Sequence, residues 1–215
     1  MYYLNGLGWI NKNGYGNSRG VSRVFQSINR DDNLNLIEGL FPVNLPNFKR
    51  FDTVSKRTLL TAGLALNAAG FTYDSQKHNI GLIGLGTRGS VQSDADYYLD
   101  FIDHGKKGGR SNTFIYTLPT SSLAESAIYF GLTGPVYYIS REKDLFKAGI
   151  EAAIRDMLFQ ETGRMLVGTV EGETCIYMVL GNKDSNSLCS VNDLDFTLEY
   201  DDIIKKILHS NNVVK

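Results

Sequence analysis

The spacing of apolar positions changes several times along the chain, and each change marks an element. Residues Met1–Ile10 alternate apolar and polar side chains and run through Gly6-Leu7-Gly8-Trp9, the pattern of a first strand. A loop rich in glycine and asparagine follows at Asn11–Gly20. Val21–Pro46 has no strong period, and Pro42, Asn44 and Pro46 mark it as a long loop. Asp52 is a good N-cap for a helix ending near Gly70. In it Val54, Leu59, Leu60, Leu64, Leu66 and Ala69 spread over several sides, which predicts a helix buried between layers. Ile80–Gly86 is a continuous apolar run, typical of a parallel strand covered on both faces.

Ser90 is placed to cap a helix to about His104, ahead of a flexible Gly105–Gly109 segment. Asn112–Tyr116 has the composition of a short strand, and Pro119 suits the first turn of a helix to Phe130. Gly131–Pro135 breaks that helix before a strand at Val136–Ser140 and a helix over Asp144–Glu161. Arg164–Val170 and Thr174–Leu180 read as a hairpin turning at Glu171-Gly172-Glu173. Asn182–Asn192 reads as loop and Tyr200–Leu208 as a terminal helix. The alternation predicts an α/β fold. Its sheet is expected to be mixed and mostly parallel, with helices on both faces and the last hairpin adding an antiparallel C-terminal edge. One domain over residues 1–215 is expected, with no internal repeat.

Composition narrows the chemistry. Of 215 residues, 42% are hydrophobic and 21% charged, the balance of an ordinary globular protein. The net charge is −1 with no basic block, which leaves no electrostatic footprint for nucleic acid. The longest apolar stretches, Met165–Val170 and Ile176–Leu180, are too short to cross a bilayer. Met1–Asn5 has no cationic region ahead of an apolar run, so the cytoplasm is the expected compartment. Cys175 and Cys189 belong to no CxxC or Cys/His cluster, so neither a metal site nor a disulfide is expected.

Gly84-Leu85-Gly86-Thr87-Arg88-Gly89 is a literal GxGxxG between a strand and a helix. Such a turn can place a pyrophosphate on a helix N-terminus, with Gly84, Gly86 and Gly89 as its binding residues. It is equally a tight turn that needs glycine for packing and positive φ. A strand and a helix already precede it, and no acidic residue ends the next strand candidate to hold a ribose. The packing role is therefore favoured, and no cofactor is expected.

The same turn resembles the Gly-Thr-Gly-x-Gly-Gly turn of β-ketoacyl synthases, and other segments follow in that family's order. Tyr3-Leu4-Asn5-Gly6-Leu7-Gly8 resembles its opening strand. Phe48-Lys49-Arg50-Phe51-Asp52, with a helix ending Leu66-Asn67-Ala68-Ala69-Gly70, resembles its Arg-Phe-Asp helix. Leu118-Pro119-Thr120 and Phe130-Gly131-Leu132-Thr133-Gly134-Pro135 resemble its Leu-Pro-Asn helix ending Phe-Gly-Leu-x-Gly-Pro, the most specific piece. Leu166-Val167-Gly168-Thr169-Val170-Glu171 resembles a later Val-Gly-Gly-x-Glu strand. The resemblance covers about residues 1–180, the first half of a thiolase-like fold, and leaves 182–215 as a divergent tail.

The resemblance also implies what is lost. The family's nucleophilic cysteine caps a buried helix, and an ungapped count from Gly134-Pro135 puts Lys143 at its position, within Arg141-Glu142-Lys143-Asp144. A lysine is cationic at neutral pH unless strongly desolvated, and four adjacent charges suit a wet helix start. The two catalytic histidines of the family lie in its second half, and His78, His104 and His209 fall in no matching motif. No catalytic residue is therefore assigned. Ser140, Cys175 and Cys189 are poor substitutes, Cys175 being the kind of strand cysteine that packs as a small hydrophobe.

Three functions follow, in order. The first is a non-catalytic accessory protein of fatty-acid- or polyketide-type acyl-chain biosynthesis. It would act as a homodimer or by docking on a complete ketosynthase or an acyl carrier protein. Its interface strand would be Val136, Tyr137, Tyr138, Ile139 and Ser140. A lone half should also expose apolar surface where the second half would cover its core helix. The second is an acyltransferase or thioesterase with a rearranged site at Lys143, Ser140 or a cysteine. The third is nucleotide binding at the glycine turn.

Overall fold

The computed structural model describes residues 1–25, 47–71, 73, 76–106, 109–159 and 161–212. Most of the loop expected over Val21–Pro46, with Pro42, Asn44 and Pro46, lies outside them, as do residues 107–108 of the Gly105–Gly109 segment. In chain order the strands are β1 (Tyr3–Ile10), β2 (Gly14–Asn17), β3 (Ser22–Val24), β4 (Ile80–Gly86), β5 (Val136–Ser140), β6 (Arg164–Glu171), β7 (Thr174–Gly181) and β8 (Cys189–Ser190). The α-helices are α1 (Thr53–Ala68), α2 (Val91–Asp103), α3 (Ser111–Phe114), α4 (Ser121–Tyr129), α5 (Leu145–Leu158) and α6 (Tyr200–Asn212).

One sheet runs β3-β2-β1-β7-β6-β4-β5, with β8 also on β1. β4 pairs parallel with β5 and β6, while β7 is antiparallel to both β6 and β1. Four of these five strands therefore share a direction and β7 alone is reversed. The mixed α/β sheet, with β4, β5 and β6 parallel, matches expectation. The hairpin's place does not. β6–β7 lies inside the sheet, because β1 adds to the free side of β7. The antiparallel edge is N-terminal instead, built by β2 and β3 from residues read as loop.

α1 forms where its caps say it should. Asp52 accepts the Ser55 N–H at 2.8 Å, and Gly70 at φ 87 ends the helix as Phe71 N–H bonds back to the Leu66 carbonyl at 3.0 Å. It lies on β1 and β7 beneath α4, and every residue from Thr58 to Leu66 is buried. The helix approaches β1 so closely that a Cβ on Gly8 would lie 2.5 Å from both the Ala65 nitrogen and the Thr61 oxygen. The Gly6-Leu7-Gly8 spacing is thus a packing device.

The opposite face holds α5 and α6 over Leu4, Leu7, Ile83, Leu85, Val167 and Met178. α5 buries Leu145, Phe146, Ile150, Ala153 and Met157 and turns Lys147, Glu151 and Arg155 to solvent. The apolar exposure expected on this helix is therefore confined to Leu158 and Phe159 at its end. The tail beyond Gly181 completes the face. β8 pairs with β1, and Ile203, Ile204 and Ile207 of α6 are buried in the same core.

Two local expectations are corrected. Asn112–Tyr116 is not a strand: α3 and a 3-10 turn at Ile115–Thr117 take it, with Phe114 packed on Tyr97. Ser90 stands at the start of α2 without capping it through its side chain, which instead donates to the Thr117 carbonyl.

Candidate functional site

In an open α/β sheet, ligands gather at the carboxyl ends of the parallel strands. Here those ends are Gly86, Ser140 and Glu171, with the glycine turn on one side and the start of α5 on the other. Gly86 and Ser140 pair in register, and the Ser140 hydroxyl lies 3.5 Å from the Thr87 carbonyl. Glu171 bridges the region, accepting the Thr87 N–H at 2.8 Å and the Tyr200 hydroxyl at 3.3 Å.

The glycine turn is filled by the protein itself. A Cβ on Gly86 would lie 1.9 Å from the Tyr138 hydroxyl, and one on Gly84 would meet Leu123 at 2.8 Å and Tyr138 at 3.0 Å. Gly89 takes φ 56, the left-handed conformation that favours glycine. Tyr138 of β5 thus occupies the hollow that the GxGxxG geometry would offer to a phosphate. Burial pushes its hydroxyl pKa up, as does the nearby Glu171.

At the start of α5, Arg141, Glu142, Lys143 and Asp144 are all exposed. Asp144 takes the left-handed conformation at φ 51 and makes no side-chain cap. The tail covers the next turn. Phe196 stacks on Phe146 with centroids 6.1 Å apart and planes 3° from parallel, and Tyr200 packs on the same ring at 5.5 Å. Lys143 is therefore wet, while the helix face behind it is sealed by aromatic rings.

None of the histidines joins this cluster. His78 bridges to Leu132 ahead of β4, at the other end of the sheet, with its ring edge-on to Phe71. Exposed His104 lies 3.4 Å from Asp100, and His209 meets the Lys205 carbonyl on α6. Cys175 is fully buried, and burial pushes its thiol up to about 11. Cys189 is half-buried on β8, and burial together with Asp193 raises it to about 11 as well. Neither thiol is poised as a nucleophile. Among the described residues, no group of three or more His, Cys, Asp or Glu could hold a metal ion, and no helix is long and apolar enough to cross a membrane.

Two hollows flank the sheet. On the α1 face a cavity of about 50 Å³ is lined by Asp52, Ser55, Ser93, Tyr116, Ser122 and Tyr138. It has room for a few waters and none for an acyl chain. At the opposite end of the sheet an open groove of about 390 Å³ holds Lys77, Lys183 and Arg164, the last paired with Asp184 at 2.9 Å.

β5, the strand of the expected interface, is the outermost on its side of the sheet. Val136 is exposed at its start, Ile139 is half-buried, and Tyr137 is anchored to Asp156 of α5 by a 2.7 Å hydrogen bond. Sequence reasoning missed the plug at Tyr138 and the Glu171–Tyr200 contact. The first had a visible signal, a tyrosine set against a row of glycines; the second joins residues far apart in sequence.

The mixed sheet with helices on both faces is a fold that this chain shares with solved ketosynthase structures over most of its length. The ishigamide ketosynthase/chain length factor superposes with a TM-score of 0.63 at 13% identity, over 86% of this chain and 63% of that one. A type II polyketide synthase acyl-carrier protein in complex with its ketosynthase gives 0.61 at 12% identity, over 84% of this chain and 62% of that one. The ketosynthase ApeO in complex with its chain length factor ApeC, from Xenorhabdus doucetiae, gives 0.56 at 11% identity, over 85% and 80%. This chain spans a little under two thirds of the first of these. No protein-family model and no curated protein sequence matches the chain.

Proposed function

We propose that the protein is a ketosynthase-like accessory protein of fatty-acid- or polyketide-type acyl-chain biosynthesis that works by association, not by its own condensation chemistry. The observation that carries this is the start of α5. Where the resemblance puts a thiolate, an exposed Lys143 stands among three other charges, and Phe196 and Tyr200 seal the turn behind it. Condensation also needs groups that stabilise a developing oxyanion, and no histidine lies near.

The association would run through β5. An outermost strand offers unpaired backbone donors and acceptors to a second strand, and Val136 and Ile139 supply apolar contact. The partner is a complete ketosynthase, a second copy of this chain or an acyl carrier protein. Such partners fit the neighbouring folds, which include ketosynthase/chain length factor assemblies and a ketosynthase with its carrier protein. Nucleotide binding is disfavoured because Tyr138 fills the glycine turn.

The test is purification of the tagged protein from its native host, with mass spectrometry of what co-purifies and light scattering of the complex. Recovery of a complete ketosynthase or carrier protein at fixed stoichiometry, lost in an Ile139→Asp variant, is the expected result. A monodisperse monomer without partner, at high concentration, would overturn it.

A further inference from the structure

α2 is a helix of 13 residues, none of which is buried among the described residues. Its inner side, Ser93, Tyr97, Asp100 and Phe101, is half-buried, resting on α3 and the turn after it. The opposite side carries Val91, Ala95, Tyr98, Leu99 and Ile102. That spacing of three and four residues sets them in one stripe along the helix. Val91 is 58% exposed, Tyr98 61%, Leu99 59% and Ile102 38%. Single exposed apolar residues are ordinary, but a continuous stripe along one helix is not. A helix of this length is marginal in water alone, so a stripe facing solvent marks an interaction surface.

The rim of the stripe states the partner's charge. Asp94 flanks one side and Asp96 and Asp103 the other, and α2 has no lysine or arginine. We propose that this face of α2 docks an apolar helix or surface of another protein rimmed by lysine and arginine. A second copy does not suit it: two α2 helices set face to face across a two-fold axis would bring aspartate rims together. The surface is separate from β5, and the inference holds whether or not β5 is an interface.

The test uses fluorescent peptides and anisotropy with the full chain. One probe is an amphipathic leucine–lysine peptide in heptads; the other is its leucine–glutamate counterpart. The lysine peptide is expected to bind and the glutamate peptide not to. Leu99→Asp with Ile102→Asp should weaken the lysine peptide by about tenfold or more, although it makes the protein more acidic. Asp96→Lys with Asp103→Lys should weaken it as much and admit the glutamate peptide. All four residues are exposed, so unchanged melting temperatures will show the fold intact. Two results would overturn the proposal. One is lysine-peptide affinity unmoved by Leu99→Asp with Ile102→Asp. The other is light scattering in which those substitutions turn a dimer of the chain into a monomer, which makes a second copy the occupant.

Discussion

The two faces of the sheet are closed in different ways. On one, α1 is apolar nearly all round and is buried between the strands and α4, with glycines on β1 letting it approach to backbone contact. On the other, α5 is two-sided: it buries one row of apolar residues and turns Lys147, Glu151 and Arg155 outward. The second is the face that the family resemblance assigns to a partner half. Here water meets the outer row of α5, and the tail, through Phe196, Tyr200 and α6, covers the rest. A helix between two layers needs apolar residues on every side, whereas a charged outer row is stable only where it stays hydrated. The outer row of α5 is thus of the kind that water covers, unlike any side of α1.

Substitutions can break or sharpen this contrast. Leu60→Ala, at the fully buried centre of α1, should cost about 2–5 kcal/mol in urea unfolding, because neighbours on both sides prevent collapse of the cavity. Ile203→Ala on α6 should fall near the lower end, about 2 kcal/mol, since a terminal helix can shift to close the gap. An equal or larger loss there would make the tail as integral as α1. Gly86→Ala should destabilise by about 1–3 kcal/mol through its clash with the Tyr138 hydroxyl. Tyr138→Phe removes that oxygen, so the double variant should recover part of the loss, and a coupling energy of zero would disprove the plug.

The cysteines sample one face each. A thiol whose folded pKa lies above its ordinary value of 9.0 contributes stability fully below that value and loses it as pH climbs towards about 11. The urea midpoint should therefore fall as pH rises from about 9 to about 11. Alkylation of the native protein should reach half-buried Cys189 before fully buried Cys175. The smallest effect belongs to α5: Lys147→Ala and Glu151→Ala should each change stability by less than about 0.5 kcal/mol. A larger loss in either would mean that the row is covered in solution.

The sequence made some of this legible and concealed the rest for physical reasons. Asp52 and Gly70 bound α1 because caps are local chemistry, and Ile80–Gly86 announced a strand covered on both faces. Thr113, Phe114, Ile115 and Tyr116 have strand composition, yet Phe114 packs on Tyr97 of the preceding helix, and tertiary contact overrides propensity. The edge at β2–β3 was hidden in glycine and asparagine, residues that signal turns even where backbone pairing decides. At the candidate site the lysine at 143 could be found by counting. The aromatic seal behind it could not, because Phe146–Phe196 and Glu171–Tyr200 are contacts between separate segments.

The reversed strand bears on how the chain is made. Leu7 pairs with Met178, so β1 meets its long partner β7 only after all the strands and helices between them have been synthesised. Until β7 emerges, β1 has only β2 and α1 beside it, and the side chains of its other face lie open to water or to a chaperone. The sheet is therefore zipped last at its middle. That order makes contact formation slow and leaves nascent chains exposed to aggregation, so yield on expression should depend more on temperature and chaperone supply than the stability of the finished fold would imply.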